Sequence, residues 1–466
     1  MLGPLLALLL STTPAAPRAV SWEELVDRVE RTSPLMAAAR SGLAHFEHTL
    51  SRADWAYFPS FRLDSGVAPV PSITEDAVTA AVSVDWSSWG YFYRVSLTMA
   101  QPVYTFGKIA GLSEAAERGL DVGQAQVEVA RWELRHRAAQ AYQGALLSRE
   151  LEALFVQGKA WLDKAEARMV KSRDEDSDDY NQLEHLRLKS RVADFWQMEA
   201  DNKALYTTAH EGLRVLLSLP PHQPVRPKED RLEPVSLTLA SVETYLAVAE
   251  RSTPRLKLAR AGASAKSALA DAAEAAVWPD LVVLGEVSAT DSNAIEANGS
   301  VPGSRNLGMA AGLLLGLRWD LDVAQKLFQG RASRASAQQL AHKARAARDM
   351  MEVEVRRLHQ QLTGKGRLVG ITRKSMVAAR GWLTASWDLY DTGFGAFKDV
   401  MDALVQFYGK KVGYLKTVHE HNLLVVELSR AIGQDITRLA DELVPLVLDD
   451  LDRNGIPDPP NLVADE

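Results

Sequence analysis

Apolar and polar residues alternate strictly through Arg94-Val95-Ser96-Leu97-Thr98-Met99-Ala100, the period of a strand with one oily and one polar face. A second segment behaves alike: Ala311, Leu313, Leu315, Leu317 and Trp319 share one face, with Ala310, Gly312, Gly316 and Arg318 among the residues opposite. Alternations of roughly ten residues are the signal of membrane-spanning strands. The pattern changes in two proline-free stretches, Val103 to Leu219 and Gly303 to Val444, which are dense in Ala, Leu, Glu, Arg, Lys and Gln. These are predicted to be helical. A helix running from Gly107 to about Lys171 is on the order of 95 Å long at ~1.5 Å per residue, the length of a tube, stalk or coiled coil. Between the two stretches, Pro220, Pro221, Pro224, Pro227 and Pro234 stop helices and make a stiff connector.

The pattern also repeats. VERTSPLMAAAR, from Val29, matches AERSTPRLKLAR, from Ala249: Pro34 pairs with Pro254, Arg40 with Arg260, and Tyr57-Phe58-Pro59 with Val277-Trp278-Pro279, all at an offset of 220. An offset that does not drift marks two tandem copies of one unit. The predicted organisation is a signal segment (1–19), a helix of the first copy (20–58), a strand hairpin (59–104), a long helical hairpin (105–218), a proline-rich linker (219–240), the second copy's helix (241–278), strand hairpin (279–323) and helical hairpin (324–441), and an acidic tail (442–466).

Composition narrows the function. With 466 residues, 47% of them apolar, the chain has a core; its net charge is -7, and its basic residues are spread rather than banded, so it lacks the footprint of a nucleic-acid binder. It contains no cysteine, which excludes disulfides, thiolate metal sites, cysteine nucleophiles and a lipid-modified N-terminal cysteine. The start, MLGPLLALLLSTTPAAPRAVSW, reads as the apolar and cleavage regions of a secretory signal, although it has no Lys or Arg before Arg18; an untidy start is the alternative. No later apolar run reaches the ~20 residues of a membrane helix. A membrane protein of this sequence must therefore span by strands. Because every backbone polar group must be paired in lipid, and four strands cannot close a barrel, several chains must share one.

The sequence here resembles the TolC-type outer-membrane efflux proteins over nearly all of its mature length. The marks are the TSP and STP openings of the repeats, YFPSF and WPDL before the first strands, QPVYTFGK and WDLDVAQK after the second, and above all YDTGFGAFKDVMDALVQF. The fold implied is mainly α with a membrane β-barrel: a tandem structural repeat in which each of three protomers gives four strands to a twelve-stranded barrel, with long antiparallel helices forming a periplasmic tunnel. The implied function is an outer-membrane exit duct of a tripartite efflux or type I secretion system, passive itself, in a Gram-negative outer membrane. Its implied partners are its own copies in a homotrimer, outer-membrane lipid, a periplasmic adaptor protein and an inner-membrane pump.

The resemblance also gives a role to YDTGFGAFKDVMDA. Gly393 and Gly395 interrupt a helix-friendly region at a cost of roughly 1 kcal/mol each, and by similarity they form the turn at the periplasmic tip. Asp399 and Asp402, three residues apart, match aspartates lining the tunnel mouth, where a trimer assembles a cation-favouring ring of carboxylates; the same pair also suits solvated helix-face acids or a helix N-terminal charge preference. Tyr390 matches a tyrosine that ties the closed tip. Three departures stand out. Gly395 occupies the place of the arginine found five residues after that tyrosine. An acidic run containing Asp178 and Asp179 replaces the glycine-containing tip of the first copy, altering the surface offered to an adaptor or forming only a solvated turn. Gln325 stands opposite Gly107, so the two strand exits are expected to differ.

Aromatics at the strand ends, Tyr57, Phe58, Tyr104, Trp278 and Trp319 on one side and Trp86, Trp89, Tyr91 and Phe92 on the other, suit two interfacial girdles, or ordinary packing at helix–strand junctions. In the tail, DLDRNGIPD places Asp450, Asp452, Asn454 and Asp458 at the spacing of a calcium loop, but with Asn461 at the twelfth place instead of a bidentate acid; calcium or a plain acidic tail both fit. No other cofactor is expected. HExxH, GxSxG and GxxxxGK[ST] are absent, so the chain is read as a non-enzyme. The alternative function is a soluble periplasmic coiled-coil scaffold or adaptor.

Overall fold

Ser21 and Ser241 open the two copies in the same way. In the computed structural model, which describes residues 18–75, 82–175, 182–221, 223–295 and 308–438, each serine is the N-cap of an eleven-residue helix, α1 (Trp22–Thr32) and α5 (Val242–Ser252). Ser21 Oγ accepts from the Glu24 amide at 3.2 Å and Ser241 Oγ from the Thr244 amide at 3.3 Å, satisfying donors that a helix start leaves orphaned. Ser33 (ψ 130) and Thr253 (ψ 115) then leave the helical region, as the residue before a proline prefers to. Pro34 and Pro254 occupy the first positions of α2 (Pro34–Asp54) and α6 (Pro254–Ala275), where their missing N–H costs nothing. The repeat extends to the core: Leu25, Val29 and Met36 are buried in the first copy, Tyr245, Ala249 and Leu256 in the second.

The chain divides into two units. One takes in the described residues up to Arg40, Gln126–Lys257, and those from Ala347 on. It holds α1, α5, the second parts of α3 (Lys108–Asp174) and α7 (Val323–Asp391), α4 (Gln182–Leu216) and α8 (Phe397–Ile432). Its core falls in two main clusters, the first built mostly from the first copy with part of α8, the second from the second copy. Leu25, Val29, Ala138 and Leu154 pack with Leu213 and Val418; Tyr245 and Ala249 pack with Leu358, Leu362, Leu428 and Ile432. The proline-rich linker is bonded down along its length. Its strand β4 (Val225–Pro227) pairs in parallel with β1 (Arg18–Val20). The Tyr142 hydroxyl donates to the Val20 carbonyl at 3.0 Å and to the Glu229 carboxylate. Asn422, almost fully buried, accepts from the Val235 amide at 2.9 Å and donates to the Glu233 carbonyl at 2.9 Å.

The second unit, Ser41–Ala125 and Leu258–Ala346, holds most of α2 and α6, the first parts of α3 and α7, and one antiparallel sheet. Its strands are β2 (Ser60–Glu75), β3 (Val82–Tyr104), β5 (Asp280–Ser292) and β6 (Gly308–Arg318), in the order β2-β3-β5-β6. The two hairpins, one from each copy, thus join through β3 and β5. The strand exits differ. After β3, Phe106 (φ 52) and Gly107 (φ 96) turn in the left-handed region before α3 begins. After β6, α7 starts at Val323 without a positive-φ residue, and Gln325 lies inside the helix. Lys108 fastens the first exit, donating to the Trp278 carbonyl at 2.7 Å and to Asp280 at 2.8 Å. Among the described residues no helix is long and apolar enough to cross a membrane.

Candidate functional site

Two places carry the candidate chemistry: the sheet in one unit and the turn between α7 and α8 in the other. In the sheet, side chains of directly paired residues share a face. The pairs Phe61↔Met99, Leu63↔Leu97 and Val67↔Tyr93 continue through Leu97↔Val287 and Met99↔Gly285 to Val283↔Leu315 and Leu281↔Leu317. One face is therefore apolar across all four strands, and it is bare: Phe61 is 65% exposed, Leu313 76% and Leu317 62%. The opposite face carries Arg62, Asp64, Arg94, Thr98, Glu286 and Ser288, with Arg94 donating to Glu286 at 3.1 Å. It keeps small residues at Gly312 and Gly316, and two leucines, Leu284 and Leu314.

Aromatics gather at both ends of the strands. Tyr104 and Phe106 meet edge-on at 4.7 Å and Phe106 stacks on Trp278 at 6.1 Å; Tyr104, Trp278, Phe58, Tyr57 and Trp319 are all exposed. At the other end Trp86 and Trp89 pack edge-on at 6.1 Å. Phe92 is separated from this group: it pairs with Ala68 and Ser292 and so lies on the polar face, opposite Tyr91 and Tyr93. Trp86 lies in a bulge, because the register jumps from Pro71↔Trp89 to Ser72↔Asp85. Strand parity decides the first placement and register the second.

In the turn, the Phe394 and Gly395 amides both donate to the Leu389 carbonyl, at 2.9 and 2.8 Å, and the Gly393 amide donates to Tyr390 at 3.0 Å. Gly393 has φ 81, which a side chain resists. Gly395 answers a different need: a Cβ there would lie 2.8 Å from the Tyr390 nitrogen. Phe394 projects from the turn, 88% exposed. Tyr390 stands in a row of rings, 6.2 Å from Trp387 and 5.6 Å from Phe397, with Trp161 5.0 Å from Trp387.

The two aspartates have unlike surroundings. Asp399 is an acidic residue in the first turn of α8, where the helix dipole favours it; it is exposed, and its carboxylate has no partner among the described residues. Asp402, one turn on, accepts from Arg191 Nη2 of α4 at 2.8 Å. Sequence reading missed Arg191, which lies 211 positions from its partner and in no motif. Lys398 approaches Glu184 of α4 at 3.9 Å, and Phe397 and Met401 pack against the small cluster of Leu162, Ala165 and Leu188. Asp178 and Asp179, and the tail residues Asp450, Asp452, Asn454 and Asp458, lie outside the described residues.

No family model and no curated protein matches the sequence. Solved structures do match it. The Campylobacter jejuni CmeC outer membrane channel superposes with a TM-score of 0.73 at 12% identity, covering 90% of this chain and 88% of that one. The outer membrane protein VceC from Vibrio cholerae gives 0.71 at 15%, covering 89% and 96%. The open state of the Neisseria gonorrhoeae MtrE outer membrane channel gives 0.70 at 15%, covering 89% of each. At such identities the likeness is one of fold, and the chain has the fold of these channels, in keeping with its TolC-type resemblance.

Proposed function

We propose that the chain is the exit duct of an efflux or secretion assembly, seated in the outer membrane of a Gram-negative bacterium with a large periplasmic portion. One observation carries this reading: the sheet has a bare apolar face and a polar face, continuous over four strands, with β2 and β6 as open edges. In hydrocarbon an unpaired backbone group costs several kcal/mol, so such edges must be paired. Identical copies supply the pairing, four strands from each of three protomers, with the apolar face toward lipid and the polar face toward a water-filled lumen.

The helical hairpins then line a periplasmic passage, and the turn at Gly393 and Gly395, with Asp399 and Asp402 behind it, forms the constriction. Such a duct is passive. Cargo and driving force come from an inner-membrane pump through a periplasmic adaptor, for which the exposed Phe394 is an accessible apolar contact. The similarity to CmeC, VceC and MtrE supports the channel reading. The test is to purify the chain, measure its assembly mass, and reconstitute it in planar bilayers. A detergent-dependent trimer that conducts ions is expected. A monomer, soluble without surfactant and electrically silent, belongs instead to a periplasmic scaffold and overturns the proposal.

A further inference from the structure

Asp399 and Asp402 sit one turn apart on α8, yet only one of them is uncompensated. We propose that Arg191 sets the selectivity of the constriction by cancelling the charge of Asp402, so that each protomer presents one uncompensated carboxylate there, Asp399, rather than two. The inference rests on the channel reading above and deepens it.

Three observations support it. First, Arg191 Nη2 lies 2.8 Å from Asp402 Oδ1, while the Asp399 carboxylate has no partner among the described residues. Second, Lys398, the cation next to Asp399 in the chain, is itself matched: it faces Glu184. The pairs at Glu184 and Arg191 both run between α4 and α8, with opposite polarity, and together they add no net charge. Third, packing holds the two helices in place, through Leu188, Phe397 and Met401. Arg191 and Asp402 are each 37% exposed, and ion pairs so open to solvent contribute little to stability. Removing either partner therefore changes the charge facing the passage and leaves the helix contact standing.

In the resembling family the tip arginine follows the tyrosine by five residues, and Gly395 stands there in this chain. Here the arginine near the turn comes from α4 and binds the second aspartate.

Charge arithmetic separates this role from a mechanical latch. Arg191→Gln adds one negative charge per protomer, Asp402→Asn adds one positive charge, and the double variant adds none. The measurement is the reversal potential of the full-length protein in planar bilayers under a KCl gradient centred near ~0.1 M, where the Debye length is about 10 Å. The K⁺/Cl⁻ permeability ratio is expected to rise roughly threefold in Arg191→Gln and to fall by a similar factor in Asp402→Asn. It should return to the wild-type value in the double variant and stay there in Arg191→Lys, which keeps the charge. A latch predicts that both single variants and the double variant shift together. That result, or single variants with an unchanged ratio, overturns the inference while the channel survives. A wild-type protein that never conducts overturns the channel reading itself.

Discussion

Placing a methyl group on Gly395 tests the turn at its tightest point. A Cβ there would lie 2.8 Å from the Tyr390 nitrogen, 2.9 Å from the Leu389 carbonyl carbon and 3.0 Å from Leu389 Cβ. Two of these are backbone atoms, so the clash is not relieved by a rotamer change. The turn must shift instead, and the bonds it stands to lose are those from the Phe394 and Gly395 amides to the Leu389 carbonyl. At about 1 kcal/mol net for each bond, and with overpacking typically costing 1–3 kcal/mol, Gly395→Ala should raise the turn's closed state by about 2 kcal/mol. That is roughly a 30-fold increase in opening.

The assay is hydrogen exchange on the full-length protein, followed in fragments covering 385–400. Gly393→Ala is the internal comparison. Its φ of 81 penalises a side chain, but nothing lies within 4 Å of the added methyl, so its cost is about 1 kcal/mol, near fivefold in exchange. Exchange should therefore rank Gly395→Ala above Gly393→Ala, and both above wild type. Unchanged protection in Gly395→Ala, or the reverse ranking, refutes the reasoning from close approach.

Leu313→Arg places a charge at the centre of the bare face of β6 and should cost up to ~2–4 kcal/mol per site in lipid, lowering the yield of assembled protein in the membrane fraction, whereas Gly312→Ser, on the opposite face, should leave that yield unchanged. Burial depresses the His419 pKa, against the weaker opposing pull of Gln143 and Glu420. The unfolded chain thus takes up the proton first, so stability is complete above about pH 6.5 and falls as the solution is acidified below it. In a set of thermal melts between pH 5 and 7, His419→Gln should flatten that acid limb; an unaltered limb removes His419 as its source. His136 is depressed in the same direction, also chiefly by burial.

What the sequence exposed was local or periodic. The repeat was legible because helix caps and prolines recur at one offset, and the structure extends the offset to buried Leu25 and Tyr245. Strand faces were legible where alternation ran unbroken, from Arg94 to Ala100. Phe92 was grouped with Tyr91 by its place at the strand end, although neighbouring strand residues point to opposite faces and its parity with Arg94 puts it on the polar one. Trp86 depended on a bulge opposite Pro71 and Ser72, which no local pattern announces. The short β1·β4 pairing joins three residues on each strand across the length of the first copy, too few for a periodic signal. At the turn, both glycines were visible from their helix cost, but their separate reasons, positive φ at one and close approach at the other, arise only in the folded backbone. Arg191 was hidden for the same cause: nothing near it in sequence is Asp402.

The prolines of β2 make one more consequence of the sheet testable. Tyr91, paired with Pro69, donates its amide to Asn293 at 2.7 Å, and its carbonyl accepts from Ser292 Oγ at 2.7 Å; both groups point toward β5. Opposed residues of an antiparallel pair either exchange hydrogen bonds or both face away, so the nitrogens of Pro69 and, two residues on, Pro71 face the open edge. Proline is tolerated there because no donor is lost from the β2–β3 ladder. Before the prolines, the donors on the open edge are those of Phe61, Leu63, Ser65 and Val67, and past them the Ile73 amide is taken by the Ala294 carbonyl at 2.7 Å. The run from Ser60 to Ala68 is close to the ~9–11 residues of a tilted membrane strand, so on the proposed shared barrel the prolines fall where the seam with the next copy would end. Val67→Pro removes an edge donor and keeps the internal ladder, so the hairpin should fold while the proposed trimer dissociates at a lower temperature. Gly66→Pro removes a donor to β3 and should prevent the sheet from forming. Trimers of Val67→Pro as heat-resistant as wild type would show that this edge carries no seam.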